Sequence, residues 1–545
     1  MCGDRLRNHI LVEKRVKQAL LLPLSDDRIT SRVEGLSYAV EDERMEALLQ
    51  TFTTGMKVCF VPFNLVLIFI GTVWGLIFGA IPGLTATMGV ALAIPLTYGM
   101  NPFSGLILLS SIYIGAISGG FISAAMLNMP GTPSSIATTF DAYPMAQKGK
   151  ASLALALGLM SSFFGGIVAV FLMIIATYAL AQFALKFGPF EYFALGLLAF
   201  AGCIGMMGGS IIKSTLGVII GLLLATMGSD MLTGVKRLTF GIPDLVAGID
   251  ILPLLVGLFG ISEIFMAIER KYQTVVPLEA RKAKMGFKAV TEAARLIFSQ
   301  PVNYIRSLIV GFVIGVFPGV GGATSSVVAY GLAKSSSKHP DEFGKGSPEG
   351  VVASEVANNA TIAGALVPLL ALGIPGDSVT AMMIGGFMIH GLFPGPLLFR
   401  DTPEYAYAIF AAQIIGNLMM VLLGILLMRF FIYTLSIRSY YLLPIVALSM
   451  VVGAFGLYNR VFDIWISLFF GFVGYLLRKI DFPLVPVITA FVLGPIVEKN
   501  LRQGLALSDG SLMPLFTRPI ALTLFVGAVF LFAFGLYMNR KPVKH

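Results

Sequence analysis

GLIFGAIPGL, residues 75–84, sets a Pro-Gly pair, Pro82-Gly83, inside a run otherwise apolar enough to lie in a bilayer. Proline removes a backbone donor and clashes with the preceding turn, so a helix cannot pass through this point unbroken. At membrane depth such irregular backbone persists only where protein or a water-filled cavity satisfies its freed polar groups. The pattern returns as GFVIGVFPGV at 311–320, with Pro318-Gly319. A second pair follows in the same order: GGFISAAMLNMPGTPSSIAT at 119–138, with Pro130-Gly131, reads against GALVPLLALGIPGDSVTAMM at 364–383, with Pro375-Gly376. Two matches in one order predict a duplicated chain whose breaks meet at a shared site near the middle of the bilayer.

Composition agrees. Of 545 residues 57% are apolar and 12% charged, where a soluble domain has about 25% charged residues. Apolar runs continue for a helical span of about 20 residues, too long for the alternating strands of a β-barrel. The fold class expected is therefore an all-α polytopic membrane protein, with about 11 to 13 transmembrane helices in two inverted repeats, and broken helices or re-entrant hairpins at the Pro-Gly pairs. The net charge of +9 is spread over short segments between apolar runs, which fits positive-inside topology rather than nucleic acid. Three cysteines and four scattered histidines offer neither a disulfide framework nor metal-ligand spacing.

The chain divides into a polar extension at 1–44, a first membrane repeat at 45–268, a basic linker at 269–301, a second repeat at 302–500, and a last helix with a basic tail at 501–545. Residues 1–44 hold eight Lys/Arg and eight Asp/Glu without the apolar stretch of a signal peptide. Residues 269–306 hold eight Lys/Arg against three Glu, which assigns them to the cytoplasm. Half one then ends inside, where half two begins. A tail returned to the cytoplasm by one final span leaves residue 500 outside, so each half crosses an odd number of times and the repeats are inverted.

Polar residues cluster after the second break of each half: Asn128, Gly131, Thr132, Ser134, Ser135 and Thr138 in the first, Gly376, Asp377, Ser378 and Thr380 in the second. Thr132 before Pro133 reads as an N-cap followed by proline at the first helical position, and Asp377 as the equivalent cap. Helix starts inside the membrane offer unpaired N–H groups and about half a positive charge, which suits a carboxylate. The alternative is that these hydroxyls only cap helices. Upstream, Glu355, Asn358 and Asn359 share one helical face. They either serve a cation or proton, together with Asp377, or end a helix in water beside the polar loop KSSSKHPDEFGKGSPEG. FGKGS at 343–347 and IIKST at 211–215 lack the glycine spacing of a phosphate loop. TSS at 324–326 either lines the cavity or packs.

At these motifs the chain resembles the large membrane subunit of the tripartite tricarboxylate transporter family. NMPGTPSSIATTFDAYPMAQKG (128–149), FGKGSPEGVVASEVANNA (343–360) and LGIPGDSVTAMMIGGFMIHGLFPGP (372–396) carry the resemblance, which covers about residues 45–540. Asp141-Ala142-Tyr143-Pro144 departs mildly from the family's Asp-Gly-Tyr-Pro. The resemblance implies a bacterial inner-membrane permease, not an enzyme, working with a small four-helix membrane subunit and an extracytoplasmic solute-binding protein. It implies energisation by ion gradients, with no cofactor beyond Na⁺ or H⁺ as coupling ion. Moving a dianion into a negative interior costs about 4.6 kcal/mol at 100 mV, so accumulation needs cotransported cations. An intramembrane enzyme and a passive anion channel are the competing readings.

Overall fold

Seven of the long helices among the described residues open on a proline at the first helical position, where the missing N–H has no intrahelical partner to lose and φ is already helical. A computed structural model describes residues 52–206, 210–230, 232–270, 285–435, 439–456 and 459–540. The extension expected at 1–44, the strongly basic part of the linker at 271–284 and the tail at 541–545 lie outside them.

In the first part of the chain, α1 (Pro62–Ala80) breaks at Pro82-Gly83 and returns as α2 (Ala86–Thr97). Next come α3 (Pro102–Leu127), a break, the short α4 (Ile136–Met145) and the long α5 (Ala151–Ala184). After these come α6 (Pro189–Met206), α7 (Ile211–Ala225) and α8 (Ile251–Glu269). In the second part, α9 (Phe287–Phe298) meets α10 (Pro301–Val316) at 84°. A break at Pro318-Gly319 leads to α11 (Gly321–Ser336), then α12 (Pro348–Leu372), another break, and α13 (Ser378–Ile389). The chain continues through α14 (Pro396–Asp401), α15 (Pro403–Thr434), α16 (Ser439–Gly456), α17 (Val461–Lys479), α18 (Val485–Leu507) and α19 (Pro519–Arg540). Among the described residues, eight helices are long and apolar enough to cross a membrane and five more are shorter apolar helices. The chain is thus an all-α polytopic membrane protein.

Two helices form the centre. Every residue of α3 from Ser104 to Met126 and of α12 from Gly350 to Ala371 is buried. Glycines let their partners close on them, because a residue without Cβ permits backbone contact. A Cβ on Gly75 or Gly79 of α1 would strike the carbonyl oxygens of Ile112 or Ala116 on α3, at 2.4 and 2.0 Å. On Gly311 or Gly315 of α10 it would strike those of Ala357 or Thr361 on α12, at 2.3 and 2.7 Å. α1 therefore runs parallel to α3, and α10 parallel to α12.

The outer helices pack reciprocally. α5 lies along α12 while α15 lies along α3; α18 packs on α6 and α7 while α8 packs on α16 and α17. The rim is apolar outward, with Trp465, Phe469 and Phe472 on α17 and Val526, Val529 and Phe530 on α19 exposed, as a lipid-facing surface requires. α9 stands within the segment read as a linker. Val290, Ala293 and Ile297 bury one face of it, and Lys288, Glu292 and Arg295 occupy positions off that stripe.

A small hairpin between α7 and α8 pairs β1 (Gly228–Ser229) with β2 (Lys236–Arg237). Asp230 anchors it. Its carboxylate accepts the backbone N–H of Leu232 and Thr233 at 2.7 and 2.8 Å and pairs with Arg237 and Arg502 at 2.6 and 2.8 Å. The Thr233 N–H first, then Arg502, holds this carboxyl well below the usual range.

Candidate binding cavity

All four interrupted segments open into one cavity of about 340 Å³. Its wall includes Thr85, Ala86 and Thr87 at the start of α2, Thr132, Pro133 and Ser134 before α4, residues 319–323 leading into α11, and Asp377, Ser378 and Val379 at the start of α13. Phe259 and Glu263 of α8, Arg478 of α17 and residues 482–485 close the remaining side.

The turns are locked by backbone contacts that recur between the two parts of the chain. Gly83 and Gly319 take φ of 91° and 85°, the region glycine reaches without penalty. Asn128 and Gly373 end α3 and α12 in the left-handed conformation, a usual helix stop. Gly131 lies against the Gly79 carbonyl and Gly120; Gly376 lies against the Gly315 carbonyl and Ala365. The Gly319 N–H donates to the Gly376 carbonyl at 2.8 Å, tying the two later breaks together.

Two caps face the cavity. Thr85 accepts the Met88 N–H at 3.2 Å. Asp377 forms a full capping box, its Oδ1 accepting the Thr380 N–H at 2.8 Å while Thr380 Oγ1 accepts the Asp377 N–H at 2.8 Å. Its other oxygen accepts the Tyr113 hydroxyl of α3 at 2.5 Å. The expected cap at Thr132 differs. Pro133 starts a 3₁₀ turn, the Ser135 N–H bonds to the Thr132 carbonyl, and the Thr132 hydroxyl meets Ser135 Oγ at 3.2 Å rather than a backbone donor. The Thr87 and Ser378 hydroxyls hydrogen-bond to each other at 3.0 Å, joining the α2 and α13 starts.

Of the expected anion-binding residues, the structure brings Thr132, Ser134 and Ser378 to the wall, and Asp377 with them. Gly131 and Gly376 act one layer back through packing. Ser135 and Thr380 serve the turns, and Asn128 is exposed at the end of α3, before the break. Pro82, Gly83, Pro130, Pro318, Gly319 and Pro375 all lie at helix interruptions. Of the TSS run, Ser325 bonds Thr361 of α12 at 2.6 Å, a packing role.

Glu355 does not end a helix in water. It is wholly enclosed, accepting the Thr138 hydroxyl on Oε1 and the Ser162 hydroxyl on Oε2, the latter at 2.8 Å. Thr138 also reaches Ser354 at 3.2 Å. Asn359 is held by Ser118 at 2.7 Å and by the Glu355 carbonyl at 3.3 Å. Asn358 stands beside Glu355, buried, with neither amide atom in a well-formed hydrogen bond.

Three features escape a reading of local sequence. Arg478 pairs with Glu263 at 2.6 Å and donates to Ser262 at 3.1 Å, and it is the cation among the lining residues. Thr85 and Thr87 follow the first break as the polar cluster follows the second. Asp141 fills the FGKGS loop: its Oδ1 accepts the N–H groups of Gly344, Gly346 and Ser347 at 2.8 to 2.9 Å, and its Oδ2 accepts the Tyr330 hydroxyl at 2.9 Å. The loop's anion is thus supplied by the chain itself.

Residues 65–489 match the model of the tripartite tricarboxylate transporter TctA family. An uncharacterized 52.8 kDa protein in the TAR-I ttuC′ 3′ region of Agrobacterium vitis is 38% identical over 480 residues, which are 88% of this chain and 94% of that protein. An uncharacterized protein in the TAR-II ttuC′ 3′ region of the same organism is 36% identical over 214 residues, covering 39% of this chain and 88% of that protein. No solved structure matches the chain. With the family's model spanning most of its length and its motifs forming the cavity, the chain belongs to the tripartite tricarboxylate transporter TctA family.

Proposed function

We propose that this chain is the large permease subunit of a tripartite secondary transporter. It takes up a tricarboxylate or related organic carboxylate with Na⁺ or H⁺, in the bacterial inner membrane. An extracytoplasmic binding protein delivers the solute, and a small four-helix membrane subunit completes the assembly. One observation carries the reading: the starts of helical segments from four chain breaks converge on a single cavity that also holds Arg478. Unpaired N–H groups at helix starts stabilise an anion without the cost of burying a free lysine. The Ser378, Thr87 and Ser134 side chains add hydroxyl donors. Asp377 is already saturated by its cap and by Tyr113, so in this reading it fixes the α13 start rather than greeting the solute.

The contacts shared by Gly75 with Gly311, Gly79 with Gly315 and Gly131 with Gly376 support the reading of two repeats. The reciprocal packing of α5 on α12 and α15 on α3 supports the same reading. Parallel pairs in which α1 enters from one face and α10 from the other are what inversion requires.

Uptake of labelled citrate into proteoliposomes carrying this chain and its membrane partner, under imposed Na⁺ or H⁺ gradients and with the binding protein added or omitted, tests the proposal. Cation-driven accumulation that needs the binding protein is expected, and Ser378→Ala should raise KM about tenfold, the worth of one hydrogen bond to a charged group. Equilibration without accumulation would identify a channel. Consumption of a lipid or peptide substrate without uptake would identify an enzyme.

A further inference from the structure

Behind the cavity, Glu355 poses a question that the anion site leaves unanswered. It is fully enclosed in α12, at the centre of the helix bundle. Among the described residues no Lys, Arg or His forms an ion pair with it. A lone carboxylate in such surroundings is costly unless a positive charge or a proton joins it.

We infer that Glu355, Thr138, Ser162 and Asn358 form a binding site for one monovalent metal cation, Na⁺, separate from the anion cavity but touching its wall. Three elements bring the oxygens together: Thr138 from α4, Ser162 from α5, and Glu355 and Asn358 one turn apart on α12. The hydroxyls of Thr138 and Ser162 address different oxygens of the carboxylate. That arrangement suits the charged form, since a protonated acid would need one hydroxyl to turn and accept its proton. Asn358 supplies the independent sign of a missing ligand. Its side chain is 1% exposed; its amide N–H faces the Glu355 carboxylate without a well-formed hydrogen bond, and its oxygen has no hydrogen-bond partner. Buried amides are rarely left so, and an absent ion is one of the few explanations. Two carboxylate oxygens, two hydroxyls and one amide oxygen make an all-oxygen set of the kind hard cations take. With one negative charge, a single monovalent ion leaves the site neutral, whereas a divalent ion would leave a buried positive charge.

The other half of the molecule shows that packing alone does not demand the acid. Where α15 crosses α3 as α5 crosses α12, Gln413 donates to Ser110 at 2.8 Å, a neutral hydrogen bond. The charge is present in one crossing only. The link to the cavity is Gly322, a lining residue: a Cβ there would lie 2.9 Å from Ser134 Oγ and 3.1 Å from Asn358 Oδ1. Ordering Asn358 around an ion therefore sets the position of the α11 start against Ser134, which is a route for the cation to raise carboxylate affinity. Asn359, bound to Ser118, and Asp377, bound within its cap, are not ligands of this ion.

The inference deepens the transport reading, but its test needs no carboxylate. The purified full-length chain is melted in NaCl, KCl or choline chloride at fixed ionic strength, at several pH values. A Na⁺-selective, saturable rise in Tm is expected. It should vanish in Glu355→Gln, which keeps the size and an acceptor for the hydroxyls, and its half-saturating concentration should move up at least tenfold in Ser162→Ala and in Asn358→Ala. An undiminished Na⁺ response in Glu355→Gln would overturn the site. So would the absence of any Na⁺ response in the wild type, and a pH-dependent Tm abolished by Glu355→Gln would then identify a proton site instead. Adding citrate to the same samples reports on the anion cavity separately, so loss of one response leaves the other readable.

Discussion

At the scale of single residues, Arg478 is where the cavity's charge balance is set. A helix start contributes about half a charge, which favours an anion but does not match a polycarboxylate. Arg478 brings a full one, and it is held against Glu263 and Ser262 with about a quarter of its side chain exposed. A guanidinium already shared with a carboxylate can exchange that partner for a solute, keeping its charge-assisted bonds. Arg478→Gln is therefore expected to raise the KM for carboxylate uptake at least tenfold, about 1.4 kcal/mol. Glu263→Gln, which leaves the arginine uncontested, should lower KM. Initial uptake rates across a concentration series check both, and a fall in kcat alone at unchanged KM in Arg478→Gln would remove the residue from solute binding.

At the scale of elements, the glycine contacts that seat α1 on α3 and α10 on α12 carry the architecture. A methyl group on Gly79 would lie 2.0 Å from the Ala116 carbonyl oxygen and push two backbones apart, and overpacking of this kind costs about 1 to 3 kcal/mol. Gly331 of α11 has no neighbouring atom within 4 Å of such a methyl, so there alanine gains about 0.5 to 1 kcal/mol of helix propensity. Thermal unfolding in detergent should show Gly79→Ala melting below the parent and Gly331→Ala at or above it. Equal shifts would mean that the α1–α3 contact relaxes freely. These elements were readable in advance because proline and glycine act locally: each Pro-Gly pair interrupts its helix whatever surrounds it. What pairs across the fold was not. Asp141 meets the FGKGS loop some two hundred residues away, and Glu263 meets Arg478 from positions that look like ordinary charged helix ends. Glu355 was ambiguous because the polar loop before α12 suggested water, whereas α4 and α5 in fact enclose it. Asp377 was legible as a cap since the box with Thr380 spans three residues, but its bond to Tyr113 was not.

At the scale of the whole molecule, the proposed inversion makes a prediction that charge alone can orient. The connection from α11 to α12 carries Lys338 and Lys345, and the Lys148 ammonium of the α4–α5 connection donates to the Lys345 carbonyl at 2.6 Å. These lysine-bearing turns share one face, which the positive-inside rule, a rule of Lys/Arg count rather than net charge, predicts to be cytoplasmic. The connection from α2 to α3, Tyr98-Gly99-Met100-Asn101, has no charge and holds the equivalent position in the first part of the chain. If the two parts are inverted, these corresponding turns lie on opposite faces. Tyr98 and Lys338 are both exposed, and Cys59 and Cys203 are buried, so single cysteines at the two exposed positions, with Cys2 replaced by serine, can be read against a quiet background. In spheroplasts a membrane-impermeant maleimide should label Tyr98→Cys directly and Lys338→Cys only after permeabilisation. Labelling of both from the same side would leave the two parts in one orientation, and the alternation of a central site between two faces would then need an origin other than inverted halves.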